Sequence, residues 1–559
     1  MAPTSKGIVS TMRRQLACLA VACSLALCGP AQAADLLIFG GPIYTGVDAQ
    51  PKVEAVLVRN GKVAFTGPLA EARKAAGKAR AIDLKGAAAY PGFVDAHAHL
   101  MGIGLREMTL NLEGTASIAQ MTAKVKAWSA AHPGPEVLSG RGWIETHYPE
   151  KRFPNRADLD AVVSDRPVVL GRSDGHAILV NSKMLALAGV TRDTPDPAGG
   201  QILRDSQGEP TGLLVDNAKA LVKVPPPSEA QLREAAQRAV DLYASRGWTG
   251  MHSVSVAARD VAILQDMAAA GTLPIRVDNF MDLSSQGALL TTGPSADPTG
   301  LVRVDGVKMY MDGALGSRGA ALLAPYDDAP GAGLLLTPAD VIAKTLQAAR
   351  KSKAQIAIHA IGDRGNRLVL DAFETAFDGD PAQLRAARWR IEHAQVISPN
   401  DIPRFADNGV IASMQPSHAI GDLHFAPARL GAARLKGAYA WQALLASGAH
   451  LAAGTDAPVE KGDPLIEFYA ATYRHDLKGF AGPNWGLDEV LTRPQALAML
   501  TRGAAYAVFR ETELGDLAVG KAADISVFSV DLMTAPFPDI VKAHAVMTVV
   551  GGKVVYRAR

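Results

Sequence analysis

The chain has 559 residues, too many for one small core, which suggests two to four domains unless one is a large α/β barrel. Its 57 basic and 55 acidic residues leave a net charge of +2 with no long basic block, so nothing in it asks for a nucleic-acid partner. Hydrophobic residues make up 48%, as in an ordinary globular enzyme.

The first residues read as a targeting segment. Arg13 and Arg14 precede the apolar run LACLAVACSLALC, which is too short to span a bilayer, and Ala31-Gln32-Ala33 offers a small-x-small cleavage site. Residues 1–33 are expected to be a Sec-type signal peptide, and the mature chain periplasmic or secreted. Met12 stands directly before the arginines as an alternative start. Leu27 is bulky where a lipoprotein signal at Cys28 wants a small residue, so lipidation is not expected. All three cysteines (Cys18, Cys23, Cys28) lie in this segment. The mature chain then has no disulfide and no thiolate ligand, which suits an oxidising compartment. Any metal must be held by His, carboxylate or something rarer. No second apolar run is long enough to cross a bilayer, so the mature form is expected to meet no membrane.

Residues 34–90 carry short strand patterns, LLIFGGPIYTG and VEAVLVRNGKVAFTG, with Asn60-Gly61 as a hairpin signal. The C-terminal part, 511–559, mirrors them with ADISVFSVD and AVMTVVGGKVVYRA, turning at Gly551-Gly552. One small β-sandwich built from both chain ends is the simplest reading. Between them, residues 91–510 hold eight strand-like runs separated by helical ones: PGFVDAHAH, TGMHSV, IRVDNFMDL, VDGVKMYMDG, AQIAIHAIGD, RWRIEHAQV, VIASMQPSH and HLAAGTDAPVE. That alternation predicts an α/β fold, a parallel (β/α)8 TIM-type barrel. Residues from about 113 to 245 exceed one connection and are expected to form an inserted subdomain after the first barrel strand, over the barrel mouth.

Several of these strands end in a possible metal ligand. His97 and His99 have strand spacing, so both point the same way. His359 lies in the fifth strand, His393 in the sixth and Asp456 after the eighth, while Lys308 sits in the apolar fourth. Strand ends converge at one face of a barrel, so these groups would surround one spot. One divalent ion would take His97, His99 and Asp456, and a second His359 and His393, with a negative bridge between them. Lys308 supplies that bridge if its neutral amine adds CO2, or it is a plain cation paired with Asp305 or Asp312. The residues alone favour the plain cation.

Taken together, PGFVDAHAHL, GVKMYMDGALGSRGAA, IHAIGDRGN, RIEHAQ and GTDAPVE resemble the amidohydrolase superfamily. They look most like amidohydrolase family 3, the N-substituted formamide deformylase-like group, over about 36–559. The resemblance implies that His97, His99, Lys308, His359, His393 and Asp456 are metal ligands, that Lys308 is carbamylated, and that one or two ions are held. Zinc is the expected ion, with iron, manganese and nickel open on the same donors. It implies hydrolysis of a small-molecule amide by metal-activated water, with Asp456 as catalytic proton shuttle. An esterase, lactonase or cyclic amidase on the same site is a second reading, and a catalytically silent periplasmic binding protein a third. Oligomeric state is open between monomer and homodimer.

Other residues carry weaker signals. His176, in SDGHAILVNS, either reaches the substrate or is structural. Arg318 either clamps a substrate carboxylate or pairs with Asp312. Gln415 and His418 could line the pocket, and His252 could stand behind the ligands. Ser253 follows His252 where close relatives often have an acid. His132, His147, His424, His450, His475 and His544 are expected on the surface or in packing.

Overall fold

The computed structural model describes residues 34–483 and 485–559. The expected signal peptide and its cysteines lie outside the described residues.

Eight strands pair in parallel in chain order: Phe93–Ala98, Trp248–Val256, Arg276–Met281, Val302–Tyr310, Gln355–Ala360, Arg390–His393, Ile411–Met414 and Leu451–Ala453. Each of the eight predicted runs supplies one of them. The ring closes just past the last strand, where the Asp456 amide donates to the His97 carbonyl and the His99 amide to the Ala457 carbonyl, both at 2.7 Å. Every residue of Gln355–Ala360 is buried, as a parallel strand covered on both faces requires.

The helices outside are set by local signals. Glu229–Arg246 starts with a capping box of Ser228 and Gln231 and ends at Gly247, whose φ of 97° suits a left-handed C-cap. Its buried Leu232, Ala236, Ala239, Val240 and Tyr243 repeat at three- and four-residue spacing and join the main barrel core.

Strands from both chain ends share one eight-stranded sheet. Leu36–Tyr44, Lys52–Arg59, Lys62–Gly67, Arg80–Asp83 and Ala88–Pro91 are joined by Ile525–Phe528, Ala545–Val550 and Lys553–Arg557. Its Asn60-Gly61 turn has φ of 50° and 76°, the positive pair that matches strand twist in a two-residue hairpin. The sheet is welded to the barrel floor. Phe93 packs edge-on against Phe528 at 5.2 Å, and Arg276 pairs with Asp524 at 2.7 Å.

A six-stranded sheet lies between the first barrel strand and helix Glu229–Arg246. It comprises Leu110–Asn111, Leu138–Trp143, Val168–Arg172, Ala177–Val180, Gly200–Arg204 and Pro210–Asp216. It has its own core around Trp143, Leu170 and Leu213. The departure from the barrel thus runs over residues 110–216, and the helix after it already belongs to the barrel.

Candidate active site

Six side chains meet at the C-terminal mouth of the barrel. His97 is fully buried, and its Nε2 lies 3.3 Å from Asp456 Oδ1. His99, one step beyond the strand, places its Nε2 3.0 Å from the same oxygen and its Nδ1 3.1 Å from the Val254 carbonyl. The His393 ring centre is 4.9 Å from that of His97 and 4.4 Å from that of His359. One ligand atom from each of His97, His393 and Asp456 fits within a set no wider than 4.8 Å. This set takes His393 together with His97 and Asp456, while His99, grouped with them from sequence, also lies 3.0 Å from Asp456 Oδ1. His393, at the end of the sixth strand, and Asp456, three residues past the eighth, are both left-handed, with φ of 72° and 57°. Such conformations cost about 1–3 kcal/mol each and persist where surrounding bonds fix them.

Lys308 is buried in the same cavity, with its Nζ 4.2 Å from the Tyr310 ring centre and no hydrogen-bond partner. Neither carboxylate expected for it pairs with it. Asp305 is held by Arg303 at 2.7 Å, and Asp312 accepts the amides of Ala321, Ile361 and Gly362. The plain ion pair is thus not the arrangement found.

Behind His97 stands a network that sequence reasoning missed. Glu392 Oε2 lies 2.5 Å from His97 Nδ1, and Arg390 grips the same carboxylate at 2.8 Å. Arg390 also donates to the Ala96 carbonyl, Ser413 Oγ and His252 Nδ1. His252 therefore supports the arginine and is not a ligand. The arrangement fixes the His97 tautomer, leaving Nε2 for the cavity. On the other side of the first strand, Asp95 accepts from Thr455 and Tyr243, tying the loop of Asp456 to the barrel wall.

The electrostatics favour a cation. Burial pushes His99, His359 and His393 down, the last two well below the ordinary imidazole value, so they stay neutral, the ligating form. Burial would raise Asp456, but the His97 and His99 rings beside it hold it well below the ordinary carboxylate range. Burial and Lys308 press His97 down, yet Asp456 and Glu392 outweigh them and raise it, so this position calls for positive charge. The buried His97 Nε2, His393 Nδ1 and Lys308 Nζ have no hydrogen-bond partner. Unpartnered donor atoms facing one carboxylate are what a small divalent ion needs. The residues fit it.

Of the weaker candidates, His176 reaches the centre. It comes from the six-stranded sheet's segment, its ring lies 5.2 Å from that of His359, and its Nδ1 is 2.5 Å from Asp216 Oδ1. Asp216 lies 40 residues away, and no local pattern marks it. His418 lines an adjoining recess, with its Nε2 3.7 Å from Asp456 Oδ2. Gln415 turns back to the Ser413 carbonyl at 3.3 Å. Arg318 pairs with Asp328 at 3.0 Å, not with Asp312, whose oxygens are taken by backbone amides. Among the remaining histidines, His132 stacks on Trp128 and His450 on Tyr506.

Replacing Glu392 with Gln keeps the shape but weakens its hold on His97. Metal affinity is expected to fall about 10- to 100-fold, as for other partners behind a ligating histidine. Titration against a competing chelator measures it. Unchanged affinity would show that Glu392 does not orient the ligand.

Comparison with known proteins agrees with this geometry. The family model described as "Amidohydrolase family" matches residues 80–556. The chain is 34% identical over 536 residues to "Putative amidohydrolase YtcJ" of Bacillus subtilis (strain 168), covering 92% of this chain and 98% of that one. It is 27% identical over 545 residues to the N-substituted formamide deformylase of Arthrobacter pascens, covering 94% and 99%. Among solved structures it resembles an uncharacterised metal-dependent hydrolase from Pyrococcus horikoshii, with TM-score 0.73 and 27% identity over 90% of this chain and 99% of that one.

Proposed function

We infer, from the premise that this chain belongs to the amidohydrolase family, that its barrel mouth hydrolyses a non-peptide carbon–nitrogen bond of a small molecule. One observation carries the reading: ligand atoms of His97, His393 and Asp456 lie within 4.8 Å of one another at the strand ends. His97, His99, His359, His393 and Asp456 would hold one or two divalent ions, with Lys308 as carbamate between them. Zinc suits these nitrogen and oxygen donors. When bound, such an ion acidifies water and polarises a carbonyl.

The chain's own residues do the rest. Asp456 takes a proton from the attacking water and delivers it to the leaving nitrogen. His99 and His97 hold that carboxylate ionised and aimed at the cavity. His176, fixed by Asp216, meets the substrate from above. The six-stranded sheet caps the mouth, and the composite sheet of the two chain ends supports the barrel from below. The arginine pair, apolar run and Ala-x-Ala at the N-terminus support export to the periplasm or beyond.

The name of the Arthrobacter relative gives the first substrates to try, N-substituted formamides, beside acetamides and esters of similar size. Amine release is followed before and after chelation. Turnover that a chelator abolishes and zinc restores is the expected result. A chain that retains no divalent metal and turns over none of these compounds would overturn the reading.

A further inference from the structure

The cavity above the cluster holds about 550 Å3 and is walled by both the barrel and the six-stranded sheet. Most of its charged groups are matched. Arg172 is paired with Glu145 and Asp174, and Asp216 with His176. Arg141 is not. It sits in strand Leu138–Trp143, opposite Gly171, where a Cβ would come 3.3 Å from its own Cβ. Arg141 and Gly171 both line the cavity.

Among the described residues Arg141 has one hydrogen bond, from Nη2 to the Ser173 carbonyl at 3.0 Å, and no ion pair. The acids around it are committed elsewhere: Glu113 to Arg106, Asp174 to Arg172 and Asp456 to the histidines. Burial and the charge of Arg106 push it down to about 10, so it remains a cation at neutral pH. A largely buried guanidinium without a counter-charge costs stability unless something pairs with it, and its planar fork matches a carboxylate.

We propose that Arg141 binds a carboxylate on the substrate, so that the preferred substrates are amides that also carry a free acid, such as N-acylated amino acids. This deepens the hydrolase reading above and rests on it. For an N-formyl amino acid, water adds to the formyl carbon, the C–N bond breaks, the nitrogen gains a proton, and formate and the free amino acid leave. Lys219, another cation lining this cavity with no ion pair among the described residues, has its amine on the Gly175 carbonyl and is the internal comparison.

The test is a matched pair, N-formylphenylalanine (both enantiomers) against N-formyl-2-phenylethylamine, which differ only in the carboxylate. Metal-loaded wild type, Arg141→Met, Arg141→Lys and Lys219→Met are compared, with thermal midpoints as a check on folding. Wild type is expected to favour the acid about 10- to 100-fold in kcat/KM, mostly through KM, as a charge-assisted hydrogen bond allows. Arg141→Met should erase the preference, Arg141→Lys keep part of it and Lys219→Met keep it. Binding of 3-phenylpropionate against 3-phenyl-1-propanol, by calorimetry, gives a readout that needs no turnover. If both formamides are turned over with equal ease, or Lys219→Met erases the preference instead, the assignment falls while the hydrolase reading stands. If neither is turned over but 3-phenylpropionate binds through Arg141, the anion site stands and the formamide reading falls. Equal binding of the acid and the alcohol overturns the anion site outright.

Discussion

Replacing Asp456 with Asn is expected to lower kcat by about 10²- to 10⁴-fold, the range a positioned general base contributes. Asn keeps the shape and one ligating oxygen, so what it removes is proton capacity. The wild-type carboxylate is suited to that task by its surroundings. His97 and His99 approach the same oxygen at 3.3 and 3.0 Å and keep it ionised despite burial. Its other oxygen lies 3.7 Å from His418, so the second lone-pair face meets the cavity. Steady-state kinetics of the variant should be run beside equilibrium binding of a substrate and metal analysis. Loss of turnover with substrate binding kept and metal retained marks Asp456 as the proton carrier. Turnover within about tenfold of wild type would assign the proton to another group. The same measurement separates an enzyme from a silent binding protein, because a binder has no turnover for the substitution to remove.

What the sequence showed, and what it hid, follows from the range of each signal. The spacing of His97 and His99 is a property of three residues, and a strand converts it directly into two rings on one side. The Asn60-Gly61 turn is equally local, and its positive φ values agree. The sixth strand is harder. Alternation places Arg390 and Glu392 on the barrel interior and Ile391 against the helices, which would send His393 outward too. Only the left-handed backbone at His393, φ 72°, ends the alternation and turns the ring to the mouth. Glu392 could have been found by that parity rule, as the acid facing inward beside the motif histidine. Asp216 could not, because its contact with His176 joins neighbouring strands 40 residues apart in the chain. Arg318 misled for the opposite reason. It follows the fourth strand closely, but its own φ of 60° turns the segment and Asp328 captures it outside the cavity.

Lys308→Ala is expected to release at least one equivalent of metal and to cut activity on the order of 100-fold or more, beyond the 10- to 100-fold of a residue that only supports a ligand. The ground is the state of the side chain. Its Nζ is buried over the Tyr310 ring with no hydrogen-bond partner, and an ammonium buried without a partner is costly. Here neither Asp305, held by Arg303, nor Asp312, held by backbone amides, pairs with it. A neutral amine would add CO2 and lose a proton, giving an anionic carbamate able to ligate a divalent ion. Burial then turns from a penalty into protection, since the carbamate is shielded from the water protons that reverse its formation. Metal content of wild type and variant, and a carbamate signal from protein prepared in 13C-labelled bicarbonate, are the measurements. If the variant keeps its metal and its activity, Lys308 is a packing residue over Tyr310 and the bridge must come from solvent. If metal falls and a short carboxylate such as propionate restores it to the shortened side chain, an anion at that position is what the site requires.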